Sequence, residues 1–379
     1  MEEQQTLGLT LGLIGGVLVL LAAAETVLQV LRHRADAAIN RAILDTFQTR
    51  VRAWWILTAA LAAAVLIGPV VTVVLFCGIA FWSLREFITL TPTRPGDHRT
   101  LFWVFFLFTP LQFLLVGMRQ YGLYSILIPV YVFLFIPARI ALSGDAKRFL
   151  ERSAKIQAGL LICVYCLSHA PALMTLSVPS RAQAAAQQKQ SATNNPTSIG
   201  AESLAARPAT SEKPGDDENQ PAANGPSFVS QFRGDAGAKA RLLLFFVLIV
   251  QLSDLFQYAW AQIPSKHVIA PNINPTKTWE GLLGGTGSVM LLGAALWWAV
   301  PFDVWLTPLM SGVIALMGFC GAMTMSAIKR DRGVKDYGTL VEGHGGVLDR
   351  IDSICFAAPI FFHLTRYWLI SAGFMQPIP

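Results

Sequence analysis

Charge is what this sequence has least of. Asp, Glu, Lys and Arg make up only 14% of its 379 residues, where soluble domains run nearer a quarter. With 54% hydrophobic residues and a mean hydropathy of +0.50, a soluble globular protein with a large core is excluded. Cysteine is sparse as well: Cys77, Cys163, Cys166, Cys320 and Cys355 all lie in apolar runs, and the nearest loops carry none. That excludes a disulfide framework. Cys163 and Cys166 have CxxC spacing, but inside an apolar run they read as small packing residues, not as a redox or zinc pair. The net charge of +6 is spread over loops and does not gather with aromatics on one surface, which argues against nucleic acid as a partner. No GxxxxGK[ST] loop occurs, so a nucleotide would need some other cradle.

Apolar runs of the length that crosses a hydrocarbon core of about 30 Å recur along the chain. They predict an all-α, polytopic integral membrane helical bundle of about ten transmembrane helices, at 7–31, 54–67, 69–84, 102–118, 121–138, 157–178, 241–263, 281–300, 304–325 and 353–372. The second and third are separated only by Gly68-Pro69, so they are either two short helices or one kinked at proline. The first run follows an acidic Met-Glu-Glu-Gln-Gln start and is too long for a signal peptide, so it reads as a retained helix. With the N-terminus outside, the inner loops 32–53, 85–101, 139–156, 264–280 and 326–352 hold most of the loop Lys and Arg, as the positive-inside rule requires. This topology puts the two most polar motif loops, 264–280 and 326–352, on one cytoplasmic side. Residues 179–240 are rich in Ala, Gln, Ser, Pro and Gly with few large apolar residues; they are expected to form a disordered or loosely held outer loop. This loop divides a six-helix N-terminal half (1–178) from a C-terminal half (241–379) that carries the motifs. Deleting 185–235 is therefore expected to spare activity.

Chemistry concentrates in Ser326 to Asp352, SAIKRDRGVKDYGTLVEGHGGVLDRID, which packs five cations, four Asp, one Glu and one His into 27 residues. Positive-inside placement accounts for Lys329, Arg330, Arg332, Lys335 and Arg350, but not for Asp336, Asp349, Asp352 or the Gly343-His344-Gly345-Gly346 run. Such glycines permit positive φ and close approach to a ligand. Asp349 and Asp352, three apart at the start of the last span, could share a hard cation such as Mg2+ or could cap the helix; capping explains one of them better than two. Lys329 and Asp336 would share a face only if the helix continued past Gly333. Two acids lie within spans, Asp254 and Glu25, and intramembrane carboxylates are costly enough to suggest function. Ser253 and Gln257 would extend a polar face around Asp254. Asn274-Pro275-Thr276-Lys277-Thr278 reads as a turn into a helix capped by Thr278, whose N-terminus favours an anion beside Lys277. Gly281, Gly284, Gly285 and Gly287 read as close helix packing.

The pattern Ser326-x-Ile-Lys-Arg-x4-Lys-Asp-x-Gly, followed by His344-Gly-Gly-Val-x-Asp-Arg-Ile-Asp, resembles the signature of the phosphatidate cytidylyltransferases (CDP-diacylglycerol synthases). Pro275-Thr-Lys-Thr-Trp-Glu-Gly281, with Asp254 upstream, is similar to a second motif of that family. The resemblance covers roughly 250–355 and is one of hydropathy before that. It implies transfer of CMP from CTP to phosphatidate, giving CDP-diacylglycerol and pyrophosphate, at the cytoplasmic face of a bacterial inner membrane, in a homodimer. It further implies Asp349 and Asp352 as the metal centre for Mg2+ and a second cation. Lys329, Arg330, Lys335 and Arg350 would be phosphate-binding groups, and Asp336 and His344 essential parts of the cleft. Asp254 and Lys277 would close it. The chain departs from the family pattern in three places. Gly321-Ala322 stands where Gly-Asp is usual, Glu342 stands where Pro is usual, and Ala261 to Ser265 replaces a Gly-Arg-x-x-Gly stretch. Glu342 and Asp254 are then further candidate metal ligands. Two other readings stay open: a CTP-dependent kinase or transferase acting on another lipid such as a polyprenol, and a non-catalytic membrane homologue or transporter.

Overall fold

The computed structural model describes residues 2–34, 55–90, 93–179, 236–262, 267–338 and 345–375. Ten helices run through these residues: α1 Glu2–Arg34, α2 Trp55–Ile67, α3 Pro69–Leu90, α4 Pro95–Gly117, α5 Tyr121–Ala141, α6 Phe149–Thr175, α7 Ala236–Trp260, α8 Trp279–Ala295, α9 Leu306–Asp331 and α10 Leu348–Ser371. Each expected span falls on one of them, and seven are long and apolar enough to cross a membrane. The chain is thus an all-α polytopic membrane protein. The apolar stretch 54–84 forms two helices. Gly68, at φ +142°, breaks the run, and Pro69 opens α3, where a missing N–H costs nothing.

α7, α8, α9 and α10 pack in sequence against one another, while α6 lies at the centre against α3 and α10, and α1 covers α7. The core runs through both halves. Phe361 stacks on Phe246 at 5.3 Å, and Leu84, Ile156, Leu167, Phe245 and Phe362 are fully buried. The glycines of α8 do what close packing predicts. A Cβ on Gly281 would lie 2.7 Å from the Gln257 carbonyl oxygen, and one on Gly285 2.7 Å from the Gln257 nitrogen. One on Gly284 would strike the Trp260 ring, whereas Gly287 faces open space.

The expected turn at 274–278 is instead a strand. Val268–Ala270 (β1) and Asn274–Thr278 (β2) form a short antiparallel hairpin, a small exception in an otherwise helical chain. Pro275 is tolerated there because the hairpin has only edge strands. The expectation for 179–240 falls almost wholly on residues outside the described ones.

Several polar loops meet at one end of the bundle. Arg152 of α6 is buried against Asp97 and donates to the backbone oxygens of Asp145, at 2.9 Å, and Lys147, at 3.1 Å. Arg94 also pairs with Asp145 at 3.1 Å. This network joins the entries of α4 and α6 at the same end as the C-terminus of α9 and the start of α10.

Candidate active site

Five of the residues singled out from sequence come together between α7, β2, α9 and α10. Lys329, in the last turn of α9, donates to Asp349 Oδ1 at 2.7 Å. The other oxygen of Asp349 accepts the backbone N–H groups of Tyr337 at 2.8 Å and Gly346 at 2.9 Å. Asp349 therefore ties the end of α9, the following loop and the start of α10 into one unit; it does not cap α10 as expected of one of the two acids, since both backbone donors lie outside the helix. Lys277, on β2, donates to Gln257 Oε1 at 2.9 Å and pairs with Asp254 at 3.5 Å. Gln257 is held in turn by donating to Ser253 Oγ at 2.9 Å, the polar face expected on α7.

Asp352 plays the other part. The Ser353 hydroxyl donates to Asp254 Oδ2 at 2.6 Å and also lies 3.4 Å from Asp352 Oδ1. Two carboxylates from different helices thus converge on one hydroxyl, and Asp352 lies in the fields of Asp254, Lys329 and Lys277 together. Carboxylates brought this near one another are accommodated by a shared proton or by neighbouring positive charge, and Lys277 and Lys329 stand beside this pair. Among the described residues no three of His, Cys, Asp and Glu gather as a metal cage. Asp254 and Asp352 are the residues that could hold a hard divalent ion, which takes one or two carboxylates and completes its shell with water and phosphate oxygens.

The loops hold one another in place. Asn274 donates to Ser326 Oγ at 3.2 Å and Arg330 Nε to the Ile273 carbonyl at 3.2 Å, docking the hairpin on the end of α9. Tyr337 is buried, stacks on Phe87 at 6.3 Å and donates to the Met325 carbonyl at 3.0 Å. Burial, with Cys163, Asp349 and Asp352 nearby, pushes its phenol pKa well up, so it stays a neutral donor. α9 ends at Asp331, and Gly333 turns the chain at φ +69°; Lys329 and Asp336 therefore do not share a helix face. Asp336 and Lys335 are exposed; a Cβ on Gly345 would lie 3.1 Å from Asp336 Cβ. Arg330 is exposed too, and Arg350 is half-buried and among the residues that line an apolar cavity. Ala322 is buried on α9. His344 and Glu342 lie outside the described residues.

One residue not foreseen governs the motif glycines. Glu86, near the end of α3, is buried, and its carboxylate accepts the N–H groups of Val347 at 3.0 Å and Leu348 at 2.9 Å, the first of α10, and the Trp82 indole N–H at 3.2 Å. A Cβ on Gly338 would sit 2.9 Å from Glu86 Oε1, and one on Gly346 would collide with Glu86 Oε2. Those glycines admit a carboxylate of the protein. The helix N-termini are likewise engaged internally: Thr278 Oγ1 caps α8 by accepting Gly281 N–H at 3.0 Å, as expected, and Glu280 accepts from His267 N–H at 3.2 Å.

Fold and site together define a polytopic membrane protein with a cluster of paired lysines and carboxylates at one end. The model of the Cytidylyltransferase family matches residues 48–368, and the chain belongs to that family. The uncharacterised protein YnbB of Escherichia coli (strain K12) is 32% identical over 324 residues, 84% of this chain and 87% of YnbB. Phosphatidate cytidylyltransferases match over a shorter stretch. That of Staphylococcus haemolyticus (strain JCSC1435) is 36% identical over 120 residues, 31% of this chain and 46% of its own length. That of Staphylococcus aureus (strain COL) is 38% identical over 120 residues, with the same coverage. These named enzymes are therefore matched over less than half their length.

Proposed function

We propose that the protein transfers CMP from CTP to phosphatidate or a closely related lipid phosphate, releasing pyrophosphate and leaving a CDP-lipid in the membrane. The observation that carries this is the convergence of Lys277, Lys329, Asp254 and Asp352 from four separate segments at the end of a membrane bundle. Family membership and the phosphatidate enzymes among its relatives support the same reading.

The chemistry suits the groups. An oxygen of the lipid phosphate forms a bond to the α-phosphorus of CTP; the α,β-bridging P–O bond breaks, and pyrophosphate leaves with the electron pair. Every reactant is an anion, so the protein's task is positioning and charge neutralisation. The side chains of Lys277, Lys329, Asp254, Asp349 and Asp352 sum formally to −1, so two phosphate substrates need further positive charge. A divalent cation such as Mg2+, for which Asp254 and Asp352 are the fitting ligands, supplies that charge when bound, acting as a Lewis acid on phosphoryl oxygens. Lys277 and Lys329 are each braced by a carboxylate or amide oxygen, so their ammonium groups are held in place for the triphosphate. Exposed Arg330 and Lys335 draw nucleotide to the mouth. The Arg and Lys of the loops at this end support a cytoplasmic site by the positive-inside rule, where CTP is found, and a bacterial inner membrane is the membrane this reading implies.

The test is to incubate the purified full-length protein with labelled CTP, Mg2+ and phosphatidate and to identify both products. CDP-lipid with pyrophosphate is the expected pair. Lipid phosphate with CDP, formed from an alcohol acceptor, would instead show a CTP-dependent lipid kinase. No turnover of any lipid by a monodisperse sample would mean a fold without this chemistry.

A further inference from the structure

The end of the bundle opposite the lysines and carboxylates carries a polar cluster that the proposed reaction does not use. Arg366, His363 and Tyr121 form it. Arg366 lies on α10, about 27 Å of helix beyond Leu348. That is close to the full depth of a hydrocarbon core of about 30 Å, so the guanidinium stands at the far membrane boundary. Exposed Trp297, Trp305 and Tyr367 belong to the same end, as the aromatic belt of a membrane interface requires.

The guanidinium is held in place. Its Cζ lies 3.9 Å from the centroid of the Tyr121 ring. That ring is fixed in turn by stacking on Phe362 at 6.2 Å and meeting Tyr124 edge-on at 5.5 Å. The Tyr121 hydroxyl lies 3.4 Å from His363 Nδ1, and His363 is one turn before Arg366 on the same face of α10. All three residues are half-buried. Among the described residues no carboxylate pairs with Arg366 and no acceptor takes its N–H groups; its one partner is the Tyr121 ring.

A cation at this depth without a counter-ion is costly, and it stands at the end that the positive-inside rule depletes of cations. A guanidinium that merely snorkelled would extend into water; this one lies on a ring, with the edge that carries its donors left open. At the boundary of a bilayer the anions within reach are lipid phosphates. The guanidinium fork matches a phosphate bidentately, and the imidazole and phenol beside it can each add a hydrogen bond.

We infer that Arg366, with Tyr121 and His363 beside it, binds the phosphate of an anionic phospholipid in the leaflet opposite the Asp254 and Asp352 cluster. About 21 Å of α10 separates Asp352 from Arg366, so this lipid is not the proposed substrate in its reacting position, and the site stands whether or not the protein makes CDP-lipid.

The test is to titrate the purified full-length protein in mild detergent with phosphatidylglycerol and to count retained lipids by native mass spectrometry. Arg366→Gln should lose one retained phosphatidylglycerol, its apparent affinity falling by at least about tenfold, as loss of hydrogen bonds to a charged group does. Arg366→Lys, which keeps the charge but lacks the fork, should fall between it and the wild type. Arg139→Gln, at the opposite end of α5, should match the wild type. Phosphatidylcholine should not occupy the Arg366-dependent position, and neither inorganic phosphate nor glycerol 3-phosphate in large excess should empty it. Displacement by either would mean a site for a soluble anion and overturn the lipid. Equal retention of phosphatidylcholine, or unchanged retention in both Arg366 variants, would overturn the site. If Arg366→Gln does not fold, the wild type decides: phosphatidylglycerol with a photoreactive headgroup should label peptides covering 119–126 and 360–370, and label found only elsewhere would refute the assignment. The readout is retention and not turnover, so a protein that makes no CDP-lipid is tested equally well.

Discussion

Asp349 and Asp352 stand three positions apart on one helix, yet their surroundings assign them different work. Asp349 satisfies one lysine and two backbone donors, so its oxygens are committed within the protein. Asp352 meets a second carboxylate across a shared hydroxyl. Asp352→Asn and Asp254→Asn should each lower CDP-lipid formation by on the order of 100-fold, with folding intact, as loss of a preorganised electrostatic group does. Asp349→Asn should instead lower thermal stability together with turnover, because it breaks the tie between α9 and α10. A melting curve of each variant beside its turnover number separates the two kinds of loss. Glu86 belongs with Asp349. Glu86→Ala leaves the N–H groups of Val347 and Leu348 at the start of α10 without their acceptor, the buried one of Leu348 at about 1–3 kcal/mol. Gly346→Ala attacks the same contact from the other side. Both should lower the melting temperature and abolish most activity; an unchanged melting temperature in either would show that the contact is dispensable. The motif acids and lysines were legible in the sequence because charge among apolar residues is conspicuous. Glu86 was not, since it falls just past the assigned end of the third span, beside Arg85, and looks like an ordinary interfacial residue. Ending that span two residues later would have exposed it to the rule that singled out Asp254.

At the scale of elements, the ten helices could be read from hydropathy because each must satisfy its own backbone within the bilayer. The hairpin could not. Asn274-Pro275-Thr276-Lys277-Thr278 carries turn residues throughout, and its strand conformation comes from docking, through Asn274 to Ser326 and through the Ile273 carbonyl to Arg330. Close packing of α8 was read from glycine spacing without naming its partner, which is α7, and it holds at Gly281, Gly284 and Gly285 but not at Gly287; this gives a paired test. Gly285→Leu must push α7 away and misplace Asp254 and Gln257, whereas Gly287→Leu projects into open space. The first should reduce folded yield, with turnover down more than tenfold, a loss typical of sub-ångström displacement of reacting groups. The second should match the parent in both measurements, and equal damage from the two would refute this account of the packing.

For the whole molecule, helices on either side of the polar segment 179–240 pack against one another. α6 packs on α10, α1 on α7, and Glu86 reaches from the first half to the start of the motif helix in the second. A protease site placed within 185–235 and cut after purification should therefore leave two fragments that stay together in detergent and retain turnover. Separation on size exclusion under mild conditions would contradict the shared core. The sequence marked where the chain divides but not how its parts adhere, because packing partners at long separation leave no local pattern.

The reach of Glu86 across the chain has a consequence for inheritance. The stretch that holds nearly every recognisable motif cannot travel as a cassette: copied without the third helix, it would lack the acceptor that closes the first turn of α10. Exchanges between relatives that keep residues 326–352 but replace the neighbourhood of Glu86 should fail unless an acid comes with them, so the two regions are bound to change together.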